Sequence, residues 1–208
     1  MASVHRALSP RRAPNGGTLA TGSILKVYMS IEIRIAVAGD AVAACQVLRR
    51  SITECCLPDH QNDPAILEAW LGNKTPDMVA TWFASTSNFS IVAIEAGVLV
   101  GVALLTRAGK LSLCYLLPEA QGCGAGKALL TRVEAQARQW GIKSLQLHST
   151  ATAAQFYARQ GFIRAGKVKS PYGVETDFFW KPLDADASVD ARRPRFCNCN
   201  TAQSMPDN

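Results

Sequence analysis

The chain has 208 residues, 48% of them hydrophobic and 18% charged, which suits one globular core and excludes collagen, a coiled coil and wholesale disorder. Its 22 Lys and Arg outnumber its 16 Asp and Glu, but residues 31–183 hold 15 basic and 12 acidic residues, a net of +3. Basic side chains scattered singly, with few aromatics among them, argue against nucleic acid as a partner. The longest apolar run, Val98–Leu105 across Gly101, falls far short of the roughly 20 residues a membrane helix needs. Seven cysteines (Cys45, Cys55, Cys56, Cys114, Cys123, Cys197 and Cys199), with no CxxC pair and no apolar signal region ahead of them, point to free thiols in a reducing cytoplasm.

Residues 1–28 are rich in Ser, Pro, Gly and Arg without an apolar period, so an unstructured extension is expected there. Their basic, acid-free composition also admits an organellar transit peptide. The domain is expected over 29–183. Ile31–Ala36 alternates apolar and polar residues as a half-buried strand does, and Gly39 and Asp40 then supply a turn and a helix cap. Helical spacing follows to about Cys56, with Pro58 as its stop. A second helix is expected over Pro64–Leu71 with Asp63 as cap, and a third over Thr75–Trp82.

From Ser90 three β-rich runs, IVAIE, VLVGVALLTRA and KLSLCYLL, are separated by Ala96-Gly97 and Gly109-Lys110, the pattern of an antiparallel meander. A helix is expected from about Gly124 to Trp140, where Leu129, Leu130, Val133, Ala137 and Trp140 form one stripe. LQLHST reads as a strand, TAAQFYARQ as a short helix ended by Gly161, and FIRAGKV with ETDFFWKPL as a closing strand pair. The fold class is therefore mixed α/β (α+β), a largely antiparallel central sheet flanked by helices. Residues 184–208 read as a second unstructured tail. Cys197 and Cys199 in that tail lack the two further ligands of a metal site, so no metal is expected.

Chemistry concentrates in LSLCYLLPEAQGCGAGKALL, residues 111–130. A strand runs into Pro118, and Gln121-Gly122-Cys123-Gly124-Ala125-Gly126-Lys127 leads into an amphipathic helix. Glycines at that junction let a ligand approach the backbone, and the first helical N–H groups lack partners, which makes the turn an anion site suited to phosphate. The spacing is not that of a P-loop, because Gln121 stands where its first glycine belongs and Ala128 where its hydroxyl belongs. Nor is it a dinucleotide fingerprint. The third glycine comes one residue early and no acid follows at Trp140–Leu145.

The stretch resembles the pyrophosphate loop of the GNAT acyltransferase superfamily, Q/R-x-x-G-x-G/A after a strand ending in Pro-Glu. ATAAQFYARQGF, residues 151–162, is similar to the same family's A-x-x-x-Y-x-x-x-G-F segment. Two motifs in order, about 30 residues apart, are more specific than either alone. The resemblance implies acetyl-CoA as cosubstrate, with the main chain of Cys114, Tyr115 and Leu116 pairing with the pantetheine arm and Gln121 to Lys127 holding the pyrophosphate. It implies Tyr157 as the acid that protonates the departing thiolate, in direct attack by a primary amine of a small molecule or peptide. It also allows a homodimer through the closing strands. Where many members carry Asn, this chain has His148-Ser149-Thr150, and where several place a Glu in the fourth strand it has LSLCYL. A base must come from elsewhere, with Glu54, Asp59, His60 and Glu95 as candidates by position. Trp70, Trp82, Phe83 and Tyr172 either wall an acceptor cleft or belong to the core. Two readings from other classes compete: a CoA-binding regulatory module without chemistry, and a protein-interaction domain without CoA affinity.

Overall fold

The computed structural model describes residues 30–183; the expected extension 1–28 and tail 184–208, with Cys197 and Cys199, lie outside the described residues. Seven strands and six helices follow one another as β1 (Glu32–Ile35), α1 (Ala41–Arg50), α2 (Leu57–His60), α3 (Pro64–Leu71), α4 (Pro76–Ala84), β2 (Asn88–Glu95), β3 (Val98–Thr106), β4 (Leu111–Leu116), α5 (Ala125–Gln139), β5 (Ser144–Ser149), α6 (Ala151–Arg159), β6 (Ile163–Lys169) and β7 (Glu175–Pro182). The expected mixed α/β class holds. The strands form two antiparallel sheets, ordered β1-β2-β3-β4 and β5-β7-β6, joined by one parallel bridge between Lys110 and Gln146.

The central strands read as near-continuous apolar runs because both their faces are covered. Ile91, Val92 and Ala93 of β2 and Val102 and Ala103 of β3 are fully buried. Helix α5 covers one face with Leu129, Leu130, Val133 and Ala137, the stripe its 3.6-residue period presents. Helix α1 buries Ala44, Val47 and Leu48 in the same core. Gly101 on β3 sits where the layers are tightest. A Cβ there would lie 2.5 Å from Leu116 Cδ2, 3.1 Å from Leu129 Cδ1 and 3.2 Å from Ala93 Cβ.

The helix caps divide into expected and unexpected. Asp63 accepts from the N–H groups of Ala65 and Ile66, and Thr75 Oγ1 accepts from Met78 N–H. Asp40 does not cap α1 through its side chain. Its carboxylate pairs with Arg34 at 2.7 Å and accepts from Val37 N–H, tying β1 to the turn that follows. Pro58 does not stop a helix either. Helix α1 ends at Arg50, a π-helical turn carries the chain through Ser51–Cys55, and Pro58 lies in the first turn of α2, where its missing N–H leaves no bond unmade.

Gly101→Ala is expected to lower stability by about 1–3 kcal/mol, the usual cost of overpacking a filled core. Denaturant unfolding checks it, and an unchanged midpoint would mean that Leu116 moves aside freely.

Candidate active site

Strands β4 and β5 lie side by side but are joined only near one end, where Gln146 N–H donates to Gly109 O at 2.9 Å beside the Lys110–Gln146 bridge. Beyond it each strand pairs only with its outer neighbour, β4 with β3 and β5 with β7. The wedge between them opens into a cavity of about 590 Å³. A bulge shapes its β4 wall: Leu104 faces Leu113 and Leu105 faces Leu111, so Ser112 has no partner on β3.

Among the sequence-predicted site residues, Cys114, Tyr115, Leu116, Gln121, Gly122, Gly124, Gly126, Lys127 and Tyr157 all line this cavity. Cys123 and Ala125 do not. The Cys123 thiol turns back to donate to Ala120 O at 2.8 Å, and Ala125 is buried in the core. Gly122 and Gly124 adopt φ of +77° and +97°, a conformation that any Cβ would strain. Gly124 caps α5 without a side chain, which leaves the helix's first N–H groups without a side-chain partner.

Helix α6 supplies the other wall. Tyr157 is only 6% exposed and packs edge-on against Phe156 and Phe162, at centroid distances of 5.1 and 5.6 Å. Its hydroxyl meets the Cys114 thiol, and burial holds its pKa well above the ordinary phenol value. Burial likewise pushes the Cys114 thiol up to about 11. At neutral pH both groups keep their protons. The start of α6 is tied to α2 across the site: Asp59 accepts from Ala151 N–H at 2.7 Å and from Thr152 Oγ1 at 2.6 Å. Thr150 is the helix cap, accepting from Ala153 N–H.

The rim also includes Ser51 and Cys55 on the π-helical turn, Cys56 just after it, and His148 on β5. None of Trp70, Trp82, Phe83 and Tyr172 lines the cavity. Trp70 and Tyr172 stack at 5.9 Å in a second small core with Ile52, Cys56 and Val174, behind Tyr115. Lys74 is buried beside them, its Nζ 5.7 Å from the Trp82 ring centre and 5.4 Å from that of Tyr172, and burial lowers it to about 8.

Of the candidate bases, Glu54 is paired with Arg50 and Asp59 is spent on α6. His60 is fully buried, its Nδ1 accepting from Asn62 N–H. Glu95 closes β2 at the β2–β3 hairpin, opposite Val98. The sequence offered His148, with Ser149 and Thr150, as a stand-in for the Asn that many family members carry there, and did not offer it as a base.

The family described as acetyltransferase (GNAT) domain matches residues 56–176, more than half of the chain. The chain belongs to the GNAT acetyltransferase family. Among relatives of this GNAT chain, an amino-acid acetyltransferase of Pseudomonas putida is 34% identical over 107 residues, covering 46% of this chain and 24% of that protein. The chain thus spans about a quarter of that relative. An IAA acetyltransferase of Azospirillum brasilense is 34% identical over 103 residues, 45% of this chain and 67% of that protein. The PaiA N-acetyltransferase of Thermoplasma acidophilum, solved in complex with coenzyme A, superimposes with a TM-score of 0.63 at 20% identity, over 74% of this chain and 99% of that one. Among the described residues no helix is long and apolar enough to cross a membrane, and no group of His, Cys, Asp or Glu is placed to hold a metal.

Asp59→Ala removes both acceptors that fasten the first turn of α6, so a loss of about 1–2 kcal/mol is expected, in the range of a lost helix cap. Thermal unfolding measures it, and wild-type stability would show that water replaces the carboxylate without cost.

Proposed function

We propose that this GNAT chain transfers an acetyl group from acetyl-CoA to a primary amine of a small molecule or peptide by direct attack, with Tyr157 as general acid. One observation carries the reading: a single cavity is bounded by the glycine turn at α5, the unpaired edge of β4 and the protonated hydroxyl of Tyr157.

The residues present fit the cosubstrate. Gly122 and Gly124 remove side chains from the loop, and α5 begins with N–H groups that no side chain caps, a donor set suited to pyrophosphate. Gln121 and Lys127 stand exposed at the same rim. The edge of β4 at Cys114, Tyr115 and Leu116 has main-chain groups with no ladder partner on the cavity side, which suits the amides of a pantetheine arm. When bound, acetyl-CoA supplies the activated acyl group.

The protein's own share is proximity and proton management. Holding amine and thioester in one cavity removes the entropic cost of their encounter. A phenol that stays protonated can give its proton to a departing thiolate, and Tyr157, held by Phe156 and Phe162, is kept in one orientation for it. The free thiols of the described cysteines suit a reducing cytoplasm. The reading includes a homodimer formed on β6, the edge strand of its sheet, which a mass from light scattering tests.

In a thermal-shift titration, acetyl-CoA and CoA are expected to raise the melting temperature while ATP and NAD do not, because a ligand that binds only the folded state stabilises it. No shift with CoA would sink the cofactor assignment. Gly124→Asp places a strained side chain and a negative charge at the phosphate turn, so CoA affinity is expected to fall about tenfold or more, equivalent to about 1.4 kcal/mol. Tyr157→Phe is expected to lower kcat by about 100-fold with little change in CoA binding. Equal turnover by the Phe variant would remove the acid role.

A further inference from the structure

Resting on that reading, we infer that His148 is the general base of the reaction, taking a proton from the incoming amine on the face of the cavity opposite Tyr157.

Strand register places it there. Leu147 pairs with Phe179, and Phe179 packs 6.3 Å from the Tyr157 ring, so these two residues face α6. His148, the next residue, projects to the other face of β5, as does its partner Phe178. The bridge at Lys110–Gln146 puts Gln146, and with it His148, on the same face as Lys110. The cavity passes between β4 and β5 and is lined by both Tyr157 and His148. An acid and a base therefore address one space from its two sides.

The imidazole is built to accept a proton rather than to pack. It is exposed to the cavity, and its ring is set edge-on against Phe178 at 5.7 Å. Among the described residues its recorded contacts are the Phe178 ring and the field of Lys110. Burial first, and then the field of Lys110, lower its pKa from 6.5, so it is uncharged at neutral pH. Phe178 lies on β7, and across the cavity the Cys55 and Cys56 thiols and the Tyr115 phenol are all held protonated by burial. Lys127 and Arg159 line the cavity from the α5 and α6 walls.

The proton count closes. An ammonium gives one proton to His148, and the freed lone pair forms the C–N bond at the thioester carbonyl as the C–S bond breaks. The sulfur pair takes the Tyr157 proton, and the second nitrogen proton returns through water to the tyrosinate. The imidazolium then releases its proton to solvent, so ammonium and thioester become amide, thiol and one proton.

His148→Gln keeps the size and polarity of the site but cannot hold the proton. With primary amines near neutral pH, kcat/KM of this variant is expected to drop about 100-fold, the usual worth of a general base. With hydroxylamine, which is already uncharged there, the rate is expected to stay near wild type. CoA binding by thermal shift should match wild type. NMR titration of the wild-type protein should show one imidazole, absent from the variant, that titrates below 6.5. An equal loss with hydroxylamine and amines, an unchanged rate with amines, or a His148 that titrates above neutrality overturns the inference. Absence of CoA binding in the wild-type protein overturns the functional reading instead, and this inference with it.

Discussion

Two neighbouring strands that are hydrogen-bonded at one end and not at the other govern this molecule. The bridge at Lys110–Gln146 fixes β4 and β5 as neighbours, and beyond it their facing edges diverge. A sheet ordinarily does not tolerate unpaired backbone inside a fold, because each buried N–H or C=O left without a partner costs as much as a lost hydrogen bond. Here the half-buried groups of Cys114, Tyr115 and Leu116 border a cavity in which a ligand can complete them. The bulge at Ser112 and the separate pairing of β5 with β7 keep the wedge open from either side.

Everything around the wedge serves to hold it in register. The close packing at Gly101 brings Leu116 of the cavity-lining strand together with Leu129 of the helix that begins at the glycine turn. On the far wall, Asp59 reaches across 92 residues of sequence to fasten the first turn of α6. The residue carrying the phenol is thus held from α2 as well as from its own helix.

The electrostatics follow from burial. Dry surroundings raise the phenol of Tyr157 and the thiols of Cys56 and Cys114, and they lower His148 and Lys74. All of these shifts favour uncharged forms. Apart from Lys127 and Arg159, the titratable side chains that line the cavity are thus held in uncharged forms by burial. Among the described residues no Asp or Glu lines the cavity.

Local signals were legible in the sequence because they rest on short-range physics. Periodicity marked β2, β3 and α5; proline and aspartate marked the start of α3; glycines at a strand-to-helix turn marked the phosphate loop; and spacing to Tyr157 carried the family resemblance. What depends on contacts between distant segments was not legible. The Asp40 carboxylate turned back to Arg34 and the Val37 N–H instead of capping α1, and Pro58 opened a helix instead of ending one, because each residue type suits two local roles and the sequence does not say which is taken. Asp59 and His60 looked equivalent by position, yet one fastens α6 and the other is fully buried and accepts from Asn62 N–H. His148 stood in the sequence only as one of three residues at the place of the family's Asn, with nothing to say which way it faces. Its side of the sheet follows from the register of β5 against β7 and from the bridge to β4, and register is a property of paired strands rather than of either strand alone.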